Sequence, residues 1–332
     1  MGSVLLTGAT GFLGSYVARE AIARGIKPIA MARASSDVSV IDGLHLPIVK
    51  ADLTEPASLL EATAGIETVI HLAAYYTFHG KVELYDKITV EGTRHLLEAC
   101  VKNGVKRVIY CSSTEAIGPV ANPPGDEDSP PNPQYEYGRS KLKAEEIVKE
   151  YGRKGLDYTI LRPSGLYGPG NVDDVSFWFI TSFAKNSLAT RFIVGSGKSL
   201  VQFTHVKDAA KAFMLALERP GKASGQTYII ADTRGHSYAE IYGMLAGICG
   251  RTAPSLHVPP LLAKAMIAPV EALNRIRGKA SFMWHVSTVD SVTNDRCYSS
   301  AKAERDLGYT AQYDLEVGLK ETVEWYRANG YI

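Results

Sequence analysis

The chain has 332 residues, 45% of them hydrophobic and 21% charged, and a formal net charge of +1, the profile of a globular protein with ample core and no evident pull toward nucleic acid or an anionic membrane surface. Cys100, Cys111, Cys249 and Cys297 are scattered, without CxxC or His-paired spacing, which argues against a disulfide framework or a metal site and suits a reducing cytosol. No run approaches ~18 apolar residues, and the first strand begins almost at once, leaving no room for a signal peptide, so a cytoplasmic protein without a membrane span is expected.

Val4 to Leu6 reads as a buried strand that breaks into Thr7-Gly8-Ala9-Thr10-Gly11-Phe12-Leu13-Gly14. From Phe12 to Arg24 the apolar residues recur at helical spacing. Strand, glycine turn and helix together make a cradle for a dinucleotide. One glycine turns tightly, one admits the pyrophosphate to the backbone, and one lets helix pack on strand. The helix N-terminus offers free N–H groups to the phosphates. Gly8, Thr10, Gly11, Phe12, Leu13 and Gly14 are the expected contacts.

A second strand, Lys27 to Met31, runs into Ala32-Arg33-Ala34-Ser35-Ser36, and the first acid comes only at Asp37. An acid at this point would bind the adenine ribose hydroxyls, whereas an arginine accommodates a 2′-phosphate. Arg33 therefore favours NADP over NAD, unless it is merely an exposed strand-end residue. After a third strand, Pro47 to Lys50, Asp52 and Leu53 meet the adenine, or Asp52 caps the helix from Glu55 to Ala64. The fourth strand, Thr68 to Leu72, ends in Ala73 and Ala74, small enough for a cofactor to pass over. His71 reads as a packed histidine rather than a base. Tyr75, Tyr76, Phe78 and His79 follow at the cleft lip, suiting a ring-bearing substrate or packing against a lid. A helix from Val82 to Asn103 carries the stripe Val90, Leu97 and Val101 toward the sheet or a dimer partner, and Arg107 to Cys111 is the fifth strand.

Chemistry enters at Ser112-Ser113-Thr114-Glu115. The Pro-rich loop Pro119 to Pro133 is long enough to suggest substrate contact. Beyond it a helix opens with Tyr137 and Lys141, which share one face. Hydride exchange at an oxygen-bearing carbon needs an oxygen donor and an acid/base held near working pH. Ser113 supplies the first and Tyr137 the second, and the Lys141 ammonium together with the positive nicotinamide ring favours the phenolate. A sixth strand, Tyr158 to Leu161, leads into Arg162-Pro163-Ser164-Gly165-Leu166-Tyr167-Gly168-Pro169, where strand–helix alternation weakens. Phe177 to Phe183 is an apolar segment of the cleft or its lid. Phe203 to Ala210 starts a helix returning to the sheet, Thr227 to Ala231 is a seventh strand, and the rest is mostly helical.

Across Gly8/Gly11/Gly14, Asp52-Leu53, His71 to Ala74, Ser112-Ser113, Tyr137/Lys141, Leu161-Arg162-Pro163 and Phe203 to Asp208, the chain resembles the extended short-chain dehydrogenase/reductase superfamily over essentially its whole length. The resemblance implies an α/β fold: a doubly wound parallel Rossmann sheet (1–165 and 200–235) with a smaller, mostly helical substrate domain (166–199 and 236–332). It implies Ser113, Tyr137 and Lys141 as the catalytic trio, with Lys141 also on the nicotinamide ribose. Leu72, Ala73, Ala74, Pro163, Gly165 and Leu166 would flank the cofactor, and helices 82–103 and 137–151 would form a homodimer.

Nucleotide-sugar members resemble Arg-x-x-Asn-x-Tyr-Gly-Pro, where this chain has Gly165 in place of the asparagine; Thr89 likewise replaces an asparagine before Val90-Glu91-Gly92-Thr93. Both departures count against a sugar nucleotide. Arg162-Pro163-Ser164-Gly165 and the ending from Ser299 to Tyr326 look instead like the branch of dihydroflavonol reductases, 3β-hydroxysteroid dehydrogenases and hopanoid-associated epimerase-like proteins. An oxidoreductase acting on a secondary alcohol or ketone of a bulky apolar molecule follows, with Tyr75, Tyr76, Phe78, Ser113, Thr114, Glu115 and Phe177 at the substrate. Ser113-Thr114-Glu115 pulls the other way, because it resembles the Thr-Ser-Glu of dehydratases and decarboxylases that retain NAD and use the Glu as a base. Glu115 otherwise orients the 119–133 loop or faces solvent. A catalytically silent sensor is a third reading, weakened by the presence of Ser113, Tyr137 and Lys141.

Overall fold

Seven short runs of branched and aromatic residues form one parallel sheet: β1 (Val4–Thr7), β2 (Ile29–Ala32), β3 (Ile48–Lys50), β4 (Thr68–His71), β5 (Arg107–Cys111), β6 (Asp157–Pro163) and β7 (Gln226–Ile230). In the computed structural model, which describes residues 2–77, 80–276 and 284–332, their order is β7-β6-β5-β4-β1-β2-β3. The chain winds outward from β1 to β3, returns to place β4 on the other side of β1, and winds outward again. This reversal opens a crevice beyond the carboxyl ends of β1 and β4, the ligand position of doubly wound sheets.

Buried on both faces, these strands carry continuous apolar runs rather than an alternation of apolar and polar residues. Leu6, Ile70, Ile109 and Leu161 pack on one face under α1 (Phe12–Ala23) and a later helix, Val206–Glu218. Their neighbours Leu5, Val69, Val108 and Ile160 pack on the other, under α2 (Pro56–Thr63), α3 (Gly92–Lys102) and α4 (Glu136–Arg153). A third, aromatic core joins α5 (Val175–Ala184) to the C-terminal helices Tyr238–Cys249 and Leu315–Ala328. No helix among the described residues is long and apolar enough to cross a membrane.

Two expectations are corrected. The helix read as one piece over 82–103 is a single turn, Val82–Leu84, then a π-helical segment, Tyr85–Glu91, and only then α3. The wider segment lets Thr89 Oγ1 accept from the Tyr75 N–H at 3.0 Å and the Tyr85 hydroxyl donate to the Thr77 carbonyl at 2.7 Å, tying the cleft lip to the helix. Such π-turns gather at functional sites. The loop 119–133 does not line the cleft. It is stapled to the C-terminal segment by Val120 N–H on the Asp295 carbonyl and Gly125 N–H on the Cys297 carbonyl, each at 2.9 Å. Its Glu127 carboxylate also accepts from the Ile229 N–H of β7 at 2.8 Å.

Candidate active site

A cleft of about 1790 Å³ runs along the carboxyl edge of the sheet. At one end lies the glycine cradle. Gly8 holds φ +72, and a Cβ there would come within 2.9 Å of the Ala73 nitrogen. The Gly11 N–H closes the turn on the Gly8 carbonyl at 3.0 Å. Gly14 seats α1 directly on that turn: a Cβ would lie 1.9 Å from the Gly8 oxygen. No side chain caps α1, and its first turn carries no acid, so the N–H groups beside Phe12, Leu13 and Gly14 suit a phosphate. Gly14→Ala must displace helix from turn, at a strain of ~1–3 kcal/mol. It should weaken binding of a reduced nicotinamide dinucleotide, followed by its fluorescence, by roughly 10- to 100-fold.

Further along, Arg33, Ser36 and Asp37 line the cleft beyond β2. Asp52 does not cap α2, whose N-cap is Glu55. It ties its own turn, accepting from Thr54 N–H and Thr54 Oγ1 at 2.8 Å each, and lines the cleft with Leu53, Leu72, Ala73 and Ala74. His71 is fully buried between Thr7 Oγ1 at 2.8 Å and Thr93 Oγ1 at 3.2 Å. Burial first, then the Lys141 charge, depresses its pKa to about 3, fitting a neutral packed histidine.

The other end is built by β5 and α4. Ser113 leaves β5 in extended conformation, and its Oγ accepts from the Glu115 N–H at 3.1 Å. Tyr137 and Lys141, one helical turn apart, are both buried and both reach the cleft. Lys141 Nζ donates to the Cys111 carbonyl at 2.8 Å and stands 5.8 Å from the centre of the Tyr137 ring. Burial pushes the Tyr137 phenol well above 10, and the Ser113 hydrogen bond only partly opposes it; burial also lowers Lys141. Tyr137 is thus a protonated acid at neutral pH.

Pro163, Gly165, Leu166 and Thr114 also border the cleft, as do Tyr75 and Tyr76. Tyr76 meets Tyr137 edge-on at 5.0 Å, and its hydroxyl bonds Asp174, the N-cap of α5. Burial raises Asp174 to about 6. Phe78 and His79 lie outside the described residues. Phe177 does not line the cleft: it points into the aromatic core against Trp178, Tyr326 and Tyr331. Val175 and Ser176 of the same helix turn face the cleft in its place.

Residues 4–231 match the NAD dependent epimerase/dehydratase family. The chain belongs to that family. Sterol demethylase protein B of Methylococcus capsulatus is 29% identical over 342 residues, covering 99% of this chain and 100% of that protein. The 3beta-hydroxysteroid-dehydrogenase/decarboxylase isoform 1 of Arabidopsis thaliana is 30% identical over 292 residues, 83% of this chain but 66% of that longer protein. Among solved structures, gox2253 superposes with a TM-score of 0.85 at 29% identity over 100% of both chains. MoeE5 in complex with UDP-glucuronic acid and NAD gives 0.75 at 28% identity, over 99% of this chain and 100% of that one. The steroid-named relatives agree with the branch resemblance, and this epimerase/dehydratase family member is an enzyme.

The roles of two residues, Glu145 and Arg296, escaped the sequence reading. Glu145, fully buried on α4, accepts from the Arg162 guanidinium of β6 at 2.8 and 2.7 Å and from the Ser112 hydroxyl. It locks the helix that carries Tyr137 and Lys141 to both neighbouring strands. Its spacing of four from Lys141 was a usable signal. Arg296 arrives from far along the chain and donates through Nε to Glu115 Oε1 at 3.1 Å. No local pattern marks that meeting. Glu115 is therefore paired rather than turned to bulk solvent, and its partner Arg296 lies between Asp295 and Cys297, whose carbonyls hold the 119–133 loop.

Proposed function

We propose that this enzyme is an NADP-preferring oxidoreductase that moves a hydride between nicotinamide and a secondary alcohol or ketone of a bulky, largely apolar substrate. The observation that carries this reading is where the polar trio sits. The cleft that holds Ser113, Tyr137 and Lys141 shares Val175, Phe203, Tyr238 and Ser291 with a mainly apolar chamber of about 160 Å³. A ring-bearing body lodged there would leave its oxygen at the trio. The steroid-related names of similar proteins support the same class.

The cradle, the uncapped start of α1 and the length of the cleft fit a dinucleotide. Gly8 to Gly14 would hold its pyrophosphate, Arg33 a 2′-phosphate, Asp52 and Leu53 the adenine, and Lys141 the nicotinamide ribose, with Leu72 to Ala74, Pro163, Gly165 and Leu166 along its flanks. When bound, the nicotinamide supplies or accepts the hydride. The Ser113 Oγ accepts from the Glu115 N–H and its hydroxyl pairs with that of Tyr137, so a substrate oxygen seated between the two would take over that bond. Tyr137, kept protonated by burial, suits proton delivery to that oxygen, the direction of reduction. In this reading residues 1–165 and 200–235 serve the cofactor and 166–199 and 236–332 the substrate. A cytoplasmic homodimer joined through helices near 82–103 and 137–151 completes the proposal.

A second reading, an epimerase, dehydratase or decarboxylase that retains NAD, is favoured by the buried Glu115–Arg296 pair and by the likeness to MoeE5. One experiment separates them: identify the nucleotide that co-purifies and test whether gel filtration removes it. An exchangeable cofactor, bound roughly 10- to 100-fold tighter as NADPH than NADH and levelled by Arg33→Ala, supports the reductase, since charge-assisted hydrogen bonds carry about 1.5–3 kcal/mol. NAD that survives filtration moves the assignment to the second reading.

A further inference from the structure

We propose that the helix Pro260–Ile276 lies on an anionic lipid bilayer and that the apolar substrate enters the cleft from that membrane, through the chamber behind the helix. The entry route rests on the oxidoreductase reading above, whereas the docking stands without it. A helix at a protein surface normally turns its charges to water and its apolar side to the core. This one is reversed. Among the described side chains, every exposed position of the helix is apolar. Leu261 and Ile276 are 82% and 83% exposed, and Leu262, Met266 and Leu273 are exposed between them. At ~100° per residue these five fall within an arc of about 140°. Lys264 and Glu271 turn to the protein instead. Lys264 pairs with Asp290 at 2.7 Å, and Glu271 accepts from the Val286 N–H at 2.7 Å and meets His285 at 3.0 Å. Charges tucked inward and leucines turned outward suit a helix whose outer surroundings are not water.

The apolar face continues beyond the helix, and the charge around it has one sign. The strand pair Ile193–Val194 and His257–Val258 brings the segments carrying exposed Leu188 and Leu256 to the start of the helix. The stretches 175–207 and 241–270 contain no Asp or Glu, and their exposed charged residues are Lys185, Arg191, Lys198 and Arg251. The overall charge of +1 conceals this local excess. Basic side chains round an apolar face match an anionic bilayer, at roughly fivefold in affinity for each one close to the surface. A second copy of the chain fits less well, because a two-fold contact centred on the helix would bring two basic rims together with no acid to pair them.

Leu188 and Met266 link this face to the reaction site. Both are 56% exposed, yet both line the apolar chamber, which shares Val175, Phe203 and Tyr238 with the cleft that holds Ser113, Tyr137 and Lys141. An apolar path thus leads from the outer face to the trio. A bulky apolar ketone or alcohol dissolves in lipid rather than in water, and this path lets it reach the trio without crossing solvent.

The test is vesicle flotation of the whole chain, paired with size-exclusion chromatography and light scattering. The wild type should rise with vesicles of equal parts phosphatidylglycerol and phosphatidylcholine. It should bind pure phosphatidylcholine at least ~10-fold more weakly, a difference that high salt erases. Leu261→Glu with Ile276→Glu should bind the anionic vesicles roughly 10- to 100-fold more weakly and keep the wild-type oligomeric state. Lys185→Glu with Arg191→Glu should lose the preference for anionic lipid. A wild type that does not float, or a Leu261/Ile276 double variant that floats as well as the wild type, overturns the docking. A double variant that becomes a smaller species without vesicles reassigns the face to a second copy of this chain and also overturns it. Entry is read by NADPH-dependent reduction of cyclohexanone in water and of cholestanone carried in the anionic vesicles. Both proteins should reduce cyclohexanone alike, and the Leu261/Ile276 variant should be roughly 10-fold or more slower on cholestanone. Equal rates on cholestanone overturn the route alone. If neither ketone reacts, the oxidoreductase reading falls while flotation still decides the docking.

Discussion

Tyr137→Phe should lower turnover by roughly 10²- to 10⁴-fold, the usual worth of a positioned general acid, with cofactor binding retained. The substitution removes one hydroxyl and keeps the ring, so the edge-on packing with Tyr76 at 5.0 Å remains. Lys141 also keeps its anchor on the Cys111 carbonyl. Single-turnover kinetics with a fixed ketone should place the loss in the chemical step, and a loss below tenfold would mean that the proton comes from elsewhere. The pH profile checks the same assignment. Burial holds the phenol well above its ordinary value, so the acid stays protonated through neutrality. Ketone reduction should then hold steady through neutrality and fall only on the alkaline side, whereas alcohol oxidation, which needs the phenolate, should climb with alkaline pH.

The parts of the site that could be read from the chain are those built by local rules. A strand, a tight glycine turn and a helix N-terminus lie within a few residues of one another, so Gly8, Gly11 and Gly14 carry their geometry in their spacing. The same holds for Tyr137 and Lys141, which one helical turn places together. The strand sequence was legible for a related reason, since strands covered on both faces have no polar alternation to blur them. What stayed hidden depends on distant pairing or on one competing local preference. The π-helical segment Tyr85–Glu91 is set by hydrogen bonds to Tyr75 and Thr77, which a helical hydrophobic pattern does not encode. Phe177, aromatic and close in sequence to the cleft, reads as a substrate contact, but one turn of α5 directs it to the core. The loop 119–133 contributes backbone pairing to the C-terminal segment, and length alone does not separate that role from substrate contact. Arg296 meets Glu115 only because that C-terminal segment folds back along the cleft.

Glu145→Gln should cost about 3–5 kcal/mol of stability, the usual penalty for removing one partner of a buried ion pair, against a total of about 5–15 kcal/mol for a folded protein. The carboxylate is 0% exposed and takes three hydrogen bonds, two from Arg162 and one from Ser112. A neutral amide cannot balance the guanidinium, and its NH₂ group presents donors where Arg162 already donates. Arg162 keeps only its bond to the Glu127 carbonyl at 3.1 Å, which does not neutralise a buried cation. Urea denaturation should show the fall as a lower midpoint with little change in slope. The companion experiment is Glu145→Leu with Arg162→Met, because replacing a whole buried pair by apolar groups is often neutral or stabilising. Recovery of stability in the double variant would assign the cost to the stranded charge rather than to lost volume. Activity should behave differently. Ser112 would still lack its acceptor, and α4 would no longer be pinned to β5 and β6, so Tyr137 and Lys141 would be held less firmly against the cleft. A double variant that is stable but slow, with kcat falling more than KM rises, would show that the Glu145–Arg162 pair positions the catalytic helix. A double variant as fast as the wild type would reduce the pair to a fold-stabilising role.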